Sequence, residues 1–230
     1  MARHPSPLGG RRPTRTELAQ FANKSFGHDD LMGAPQLGLP VKLMIFGINP
    51  GLWSAAVNAP FAYPGNRFWP SLFQAGITEY QIDVTAGMSD ADEDYLASRG
   101  IALTNLVNRA TAKASELSSH ELRTGAHKAV NLAWEYQPRA VAIVGITAFR
   151  TAFGMPKAQL GEQNLADVNR AIVRLRERWL PDIDEWPAEV ALWVVPQPSG
   201  LNAHETVSSL AERWREISVQ LEINCSAGPA

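Results

Sequence analysis

Four short apolar runs, separated by segments of helical character, constrain the fold of this chain more than any other feature. They cover residues 41–46, 101–104, 140–144 and 190–195. Apolar runs of this length are typical of strands that are buried on both faces, whereas a strand with one face in water alternates apolar and polar residues. The runs therefore predict an α/β fold, formed by a single three-layer αβα domain around a central, mostly parallel sheet.

The segments between the runs carry helix signals. Ser118 is a predicted N-cap, and Glu121 stands at the spacing of a capping box. Residues 154–164 and 181–187 are predicted to be surface loops. The predicted helices cover residues 67–75, 118–136, a segment that begins near 147, 166–179 and 204–221.

The ends of the chain differ in composition from its centre, which predicts three segments. Residues 41–222 form the domain, residues 1–40 a flexible basic arm, and residues 223–230 a tail. The arm contains one acid, Glu17, near its several cations, and a short helix is predicted close to residues 16–21. A disordered leader without function is the alternative for the arm. The basic residues of the first 24 positions are Arg3, Arg11, Arg12, Arg15 and Lys24.

Composition excludes several classes of protein. The net charge of −2 argues against non-specific coating of nucleic acid, and one cysteine, Cys225, excludes disulfide frameworks and four-cysteine iron–sulfur sites. No apolar run approaches the roughly 20 residues of a membrane helix, and the N-terminus lacks the apolar core of a secretory signal. The histidines lack metal-ligand spacing. We therefore expect a cytoplasmic monomer without a membrane anchor, metal or cofactor.

Three loops follow predicted strands and should meet at the carboxyl edge of the sheet, where α/β proteins bind ligands. We call residues 47–69 the first loop, residues 105–111 the second loop and residues 196–202 the third loop. In the first loop Asn49 stands among glycine and proline, and Phe61 has proline on its N-terminal side. An asparagine in such a turn commonly binds its own backbone, so the alternative to a ligand site is a structural turn.

The third loop places Leu201 among residues that form rigid turns. A leucine at a loop tip is usually ordinary surface. An apolar side chain held by rigid turns can also wedge into a DNA duplex, unstack a base pair and fill the gap that a flipped base leaves. The residue types alone leave both interpretations open.

Several of these segments resemble one family. Residues 47–52, 61–69, 103–111, 136–139 and 198–201 together are similar to the mismatch-specific uracil-DNA glycosylases, which include thymine-DNA glycosylase. The resemblance extends over about residues 41–222. It implies that the chain removes uracil from DNA, preferably opposite guanine, with etheno-cytosine and thymine as further candidate bases.

The resemblance also implies roles for residues of the first two loops. Asn49 would position the attacking water, and Phe61 would stack on the flipped base. Backbone N–H groups of Ile48 and Phe61 would bind the base carbonyls, and Ser54 and Asn105 would shape the pocket and contact the base edge. An amide is a poor base, so catalysis would depend on placement and electrostatics. Trp53 departs from the family pattern and either covers the first loop or narrows the pocket.

For DNA contact the resemblance implies four residues of the third loop and one lysine. Ser199, Gly200, Leu201 and Asn202 would bind the duplex, with the backbone of Gly200 and Asn202 reading the guanine opposite the lesion. Lys113 would contact a phosphate. Gln197 departs from the asparagine of close bacterial relatives, and the third loop lacks their arginine. Contacts between the basic arm and phosphates could offset this loss.

These features predict a monofunctional DNA glycosylase that acts on double-stranded DNA with a G·U mismatch. Its abasic product would pass to downstream abasic-site repair enzymes. No lysine takes a nucleophile's place in the three loops, which predicts the absence of lyase activity. The alternatives are a non-catalytic module of the same fold that binds damaged or single-stranded DNA, and a different hydrolase or nucleotide-binding α/β protein.

Overall fold

A computed structural model of the chain describes residues 4–24, 33–200 and 202–221. Within these ranges five strands form one sheet in the order β2-β1-β3-β5-β4. Neighbouring strands are parallel, except that the short β4 runs antiparallel to β5. The strands are β1 (Leu43–Gly47), β2 (Ile101–Asn105), β3 (Ala140–Val144), β4 (Gly161–Glu162) and β5 (Ala191–Val195).

Helices cover both faces of the sheet. Successive residues of β1 point to opposite faces, as the pleat of a strand requires. The helices are α1 (Arg15–Leu18), α2 (Gly33–Gln36), α3 (Leu52–Val57), α4 (Phe68–Gln74), α5 (Asp90–Ser98), α6 (Ser119–Tyr136), α7 (Ile146–Ala152), α8 (Leu165–Arg178) and α9 (Val207–Leu221). Leu43 and Ile45 join the core cluster of α4 and α9, while Met44 and Phe46 join the core cluster of α6, α7 and α8. The predicted three-layer αβα fold is confirmed.

The local predictions differ from the structure at several places. The helix α3 is absent from the prediction, because its six residues are too few to show a helical period. The strand β4 lies in a segment predicted as a loop, since only pairing with β5 defines it. The last helix begins at Val207 rather than near residue 204. The capping box of Ser118 and Glu121 on α6 is present as predicted.

The described part of the predicted basic arm is packed on the domain. Residues 4–24, which we call the N-terminal segment, contain α1 and a 3₁₀ turn at Ala19–Phe21. Phe21 is buried against Ala55, Ala56 and Ala110. Such burial offsets the entropy of ordering the segment, which the composition of the arm did not indicate. The predicted tail, residues 223–230, lies outside the described residues. No helix in the described ranges is long and apolar enough to cross a membrane.

Candidate functional site

A cavity of about 700 Å³ opens at the carboxyl edge of the sheet, where residues of all three loops meet as the sequence predicts. Most of its wall comes from the first loop, which includes α3. Asn105 and Thr111 of the second loop also line it. Residues 197–200 of the third loop form one rim. The sequence-predicted residues that line the cavity are Ile48, Asn49, Trp53, Ser54, Phe61, Asn105, Ser199 and Gly200.

The amide of Asn49 is held in one orientation. Its Nδ2 donates to the Thr111 hydroxyl at 2.7 Å and to the Arg109 carbonyl at 2.8 Å, with a longer contact of 3.3 Å to the Pro50 carbonyl. The Thr111 hydroxyl donates its own hydrogen to the Lys113 carbonyl, so it accepts from Asn49. Both N–H groups of the amide are therefore engaged, which leaves Oδ1 to accept a hydrogen bond in the cavity.

The second loop continues the pairing of β1 and β2 past the ends of the strands. The Val107 N–H donates to the Ile48 carbonyl at 3.0 Å, and the Thr111 N–H donates to the Pro50 carbonyl at 3.2 Å. Thr111 is buried, so its hydroxyl has few alternatives to Asn49 as a partner. The Asn49 turn is thus fixed by backbone and side-chain bonds from a segment some 60 residues away.

Phe61 presents one face to the cavity and the other to the core. Its ring stacks on the buried Phe68 with centroids 3.8 Å apart and 16° between the planes. Its φ of +55° is unusual for a bulky residue and requires support from its neighbours. The Trp69 indole donates to the Pro60 carbonyl at 3.0 Å, and the Ala62 N–H donates to the Ser54 hydroxyl at 3.1 Å. The ring is therefore held from both sides of the turn.

Ser54 and Trp53 both lie on α3, and each has a structural partner. The Ser54 hydroxyl, which the resemblance placed at the base pocket, is buried and holds the Phe61 turn through Ala62. The Trp53 indole donates to the Thr85 carbonyl at 3.0 Å, and its ring meets Tyr63 edge to face. Trp53 is half-buried, packs on the core and lines the cavity.

The Asn105 side chain lies beside Gly47 at the end of the paired strands β1 and β2. A Cβ atom on Gly47 would come within 2.4 Å of the Asn105 Oδ1 and 3.3 Å of the Phe61 ring. Glycine at position 47 therefore allows both side chains to reach the cavity. Below them, the Lys128 ammonium group donates to the Thr104 hydroxyl at 2.8 Å, the Asn105 carbonyl at 3.2 Å and the Asn108 side chain at 3.2 Å.

Arg67 holds the third loop in place. Its guanidinium donates to the carbonyls of Ser199 at 3.1 Å, Asn202 at 2.9 Å and Gly200 at 3.4 Å. The Arg67 N–H donates to the Pro198 carbonyl at 2.9 Å. A Cβ atom on Gly200 would come within 2.7 Å of the Gly65 carbonyl, so the third loop lies directly on the first. The predicted wedge, Leu201, lies outside the described residues.

Both backbone groups of Asn202 are bonded within the protein. Its carbonyl accepts from Arg67, and its N–H donates to the Ser199 carbonyl at 2.9 Å. Its side chain donates to the Gln197 carbonyl at 3.0 Å. Lys113 is exposed and stands between Ala112 and Ala114, two residues that line the cavity. It is therefore close to the mouth of the cavity rather than in its wall.

A salt bridge braces the second loop from outside. The Arg109 guanidinium donates to both carboxylate oxygens of Glu121, at 2.7 and 3.1 Å. These bonds, with a further bond from the Ser118 N–H, lower the pKa of Glu121 to about 2. The backbone carbonyl of Arg109 accepts a hydrogen bond from the Asn49 amide. Arg109 therefore connects Asn49 to the salt bridge with Glu121.

The lining of the cavity is poor in acid–base groups. No aspartate, glutamate, histidine, cysteine or lysine belongs to it in the part of the chain that the structure describes, and Arg67 is its cation there. The same described residues contain no cluster of three or more metal-ligating side chains. The site thus offers an oriented amide, an aromatic face and backbone groups as its means of acting on a ligand.

The sequence model of the uracil DNA glycosylase superfamily matches residues 35–218. This chain belongs to that superfamily. Members of the uracil-DNA glycosylase superfamily are glycosidases of base excision repair that act on DNA. The match includes all three loops, and the N-terminal segment lies outside it.

The sequence did not predict the roles of two residues that shape the site, Arg67 and Lys128. Arg67 stands at the start of a predicted helix, and the third loop that it binds is more than 130 residues away. Lys128 lies in the middle of α6, where a lysine is usually solvent-exposed. No sequence signal distinguishes it from the other surface cations of a helix.

Proposed function

We propose that this protein is a monofunctional mismatch-specific uracil-DNA glycosylase. It flips uracil opposite guanine out of duplex DNA, hydrolyses the N-glycosidic bond and leaves an abasic site for downstream repair enzymes of the cytoplasm. The orientation of Asn49 carries this proposal. Its Oδ1 is the amide atom left to accept a hydrogen bond from a water molecule in the cavity.

The expected reaction follows from the chemistry of the lining. Phe61 stacks on the flipped base, with Phe68 behind it, and such stacking is worth roughly 1–3 kcal/mol. The bond between C1′ and the base breaks with its electron pair on uracil, and the backbone N–H groups of Ile48 and Phe61 stabilise this anion. The water bound to Asn49 then attacks C1′ and releases its proton to solvent. Because an amide is a weak base, the water attacks a sugar that is already cationic in character, and turnover is slow.

Three observations support the absence of lyase activity. No lysine belongs to the described lining of the cavity. The Lys128 ammonium group is held by three oxygen acceptors beneath Asn105. Lys113 stands at the mouth, where a phosphate is its natural partner.

The third loop supports the preference for guanine opposite the lesion. The Watson–Crick edge of guanine offers two N–H donors, and a carbonyl oxygen with two lone pairs can accept one of them while it is bound elsewhere. Arg67 fixes the Gly200 carbonyl at the rim of the cavity and leaves it a second lone pair. The Asn202 carbonyl accepts from Arg67 at 2.9 Å and from the Glu205 N–H at 3.4 Å. Leu201 stands between these two residues in the sequence and is proposed to fill the space of the flipped base.

The substrate range is tested with labelled duplexes that contain G·U, A·U or G·T pairs, and with uracil in a single strand. We expect uracil to be excised fastest from the G·U duplex. The DNA strand should then break only after hot alkali has acted on the abasic site. Strand breaks without alkali would contradict the monofunctional assignment. Tight binding without cleavage of any substrate would favour the alternative, a non-catalytic DNA-binding module. Duplexes with etheno-cytosine extend the same comparison.

A further inference from the structure

One wall of the cavity comes from outside the matched family domain. Leu18, on α1 of the N-terminal segment, lines the cavity and, like Leu52 of α3, packs against the buried cluster that contains Phe21. The family match begins at residue 35, so this contribution belongs to the part of the chain that precedes it. The N-terminal segment therefore lies at the mouth of the site and does more than cover the core.

The N-terminal segment is fixed to the second loop. The Asn23 N–H donates to the Ala110 carbonyl at 2.9 Å, and the Ala110 N–H donates to the Lys24 carbonyl at 3.0 Å. The Arg109 guanidinium donates to the Asn23 side chain at 2.7 Å. Residues 23 and 24 thus bind the two residues that precede Thr111, the buried partner of Asn49.

The cations of the N-terminal segment are unevenly neutralised. Arg11 is paired with Glu17, the one acid in this part of the chain. Arg15 and Lys24 are exposed and form no ion pair among the described residues, although Lys24 lies 5.1 Å from the centroid of the Phe21 ring. Arg15 is three positions from Leu18 on α1, which places both on one side of the helix.

We call Arg15, Lys24 and Lys113 the basic rim. Arg15 lies on the helix of the lining residue Leu18, Lys24 is bound through its carbonyl to the second loop, and Lys113 stands between two lining residues. The third loop forms another rim of the same cavity. A strand whose nucleotide enters the cavity continues across its mouth, where its flanking phosphates can meet these cations. The rim is exposed and positively charged, and its partner is a chain of negative charges.

We propose that the N-terminal segment is a second DNA-contacting element of this enzyme, in which Arg15 and Lys24 act with Lys113 to bind phosphates of the uracil-bearing strand beside the flipped nucleotide. The proposal rests on the proposed glycosylase function. It differs from the role of a flexible tether, because the contacts are preformed by the docking of residues 23 and 24 on the second loop.

The test compares the salt dependence of binding in charge variants. The probe is a duplex with guanine opposite 2′-fluoro-2′-deoxyuridine, which resists cleavage, and binding is followed by fluorescence anisotropy between roughly 50 and 200 mM salt. In the double variant Arg15→Gln/Lys24→Gln we expect the slope of log K against log salt to become smaller in magnitude by about two, because each lost phosphate contact removes about 0.9. The charge-preserving variant Arg15→Lys/Lys24→Arg should restore the slope.

The matched control is Lys157→Gln/Arg174→Gln, which removes two exposed cations that do not line the cavity. The proposal would be overturned if the slope were unchanged in the Arg15→Gln/Lys24→Gln variant, or if the control lowered it equally. The proposed glycosylase function would still stand in that case, provided that the native chain cleaves the G·U duplex. Failure of the native chain to cleave G·U would instead overturn the proposed function.

Discussion

At the scale of single residues, the site depends on side chains whose hydrogen bonds are decided by distant segments. Asn49 could have satisfied its own turn, as asparagines in loops commonly do. Its two short bonds go instead to Thr111 and to the Arg109 carbonyl on the second loop. The sequence indicated the importance of Asn49, but it could not indicate which of the two amide atoms faces the cavity. The orientation follows from the two acceptors of Nδ2, the Thr111 hydroxyl and the Arg109 carbonyl.

The substitution Thr111→Val is expected to lower the rate of uracil excision by about ten- to a hundredfold. Valine has nearly the same shape but no acceptor for Asn49, so the amide keeps its short bond to the Arg109 carbonyl and loses the one to Thr111. The amide is then held less firmly, and small displacements of a catalytic group are costly. The rate is measured in single turnovers on the G·U duplex. Undiminished excision would show that Thr111 does not orient Asn49.

Thr78 offers a matched control. Like Thr111 it is 2% exposed, but its hydroxyl has no hydrogen-bond partner among the described residues. The substitution Thr78→Val is therefore expected to preserve excision and to raise the free energy of unfolding by about 1 kcal/mol, since it removes an unpaired buried polar group. Urea denaturation of both variants gives the comparison.

At the scale of elements, the strands β1, β2, β3 and β5 and the helices α4, α6, α8 and α9 could be predicted within a few residues. Continuous apolar runs and caps such as Ser118 are encoded locally. The helix α3, the strand β4 and the path of the third loop could not be predicted, because their positions are set by partners far along the chain. Arg67 is the clearest case, since one guanidinium fixes three carbonyls of the third loop.

The substitution Arg67→Gln is expected to weaken the preference for G·U over A·U and to speed hydrogen exchange in residues 198–202. Hydrogen bonds to a charged group contribute roughly 1.5–3 kcal/mol each when buried, and here they order a loop that contacts DNA. The control is Arg215→Gln, which removes one exposed bond to the Gln74 carbonyl elsewhere on the surface. Unchanged exchange and preference in the Arg67 variant would contradict its role.

The salt bridge between Arg109 and Glu121 predicts a pH dependence of stability. The pKa of Glu121 is about 2 in the folded protein against 4.5 in the unfolded chain. Stability from this pair is therefore fully present above pH 4.5 and is lost as the pH falls toward 2. We expect Glu121→Gln to be less stable than the native chain by up to about 1 kcal/mol at pH 7. The difference should shrink steadily below pH 4.5 in denaturation curves, and a difference that is constant with pH would contradict the account.

At the scale of the whole molecule, the three-layer fold and the meeting of three loops at one edge of the sheet could be predicted from the alternation of strands and helices. The docking of the N-terminal segment could not, because its composition is that of a flexible arm. The contact of His4 with Glu93, 2.8 Å apart, illustrates the reason. The two residues are 89 positions apart, and Glu93 lies in the acidic first turn of α5, a composition typical of a solvent-exposed helix start.

The substitution Phe21→Ala is expected to lower the free energy of unfolding by about 3 kcal/mol and to expose the N-terminal segment to proteases. Phe21 is 8% exposed, and its removal leaves a cavity against Ala55, Ala56 and Ala110. The control is Phe73→Ala, the same change at a residue that is 38% exposed. Equal effects of the two substitutions on urea denaturation would mean that the segment is not part of the folded unit.

The most direct test of the account is the single-turnover excision rate of Asn49→Ala on a G·U duplex, with enzyme in excess. If Asn49 positions the water, the rate should fall by a hundredfold or more, about 2.7 kcal/mol in the barrier. Binding of the cleavage-resistant duplex should be retained. The matched control is Asn131→Ala, on the exposed face of α6, which should keep the native rate. A native rate in Asn49→Ala would contradict the central claim.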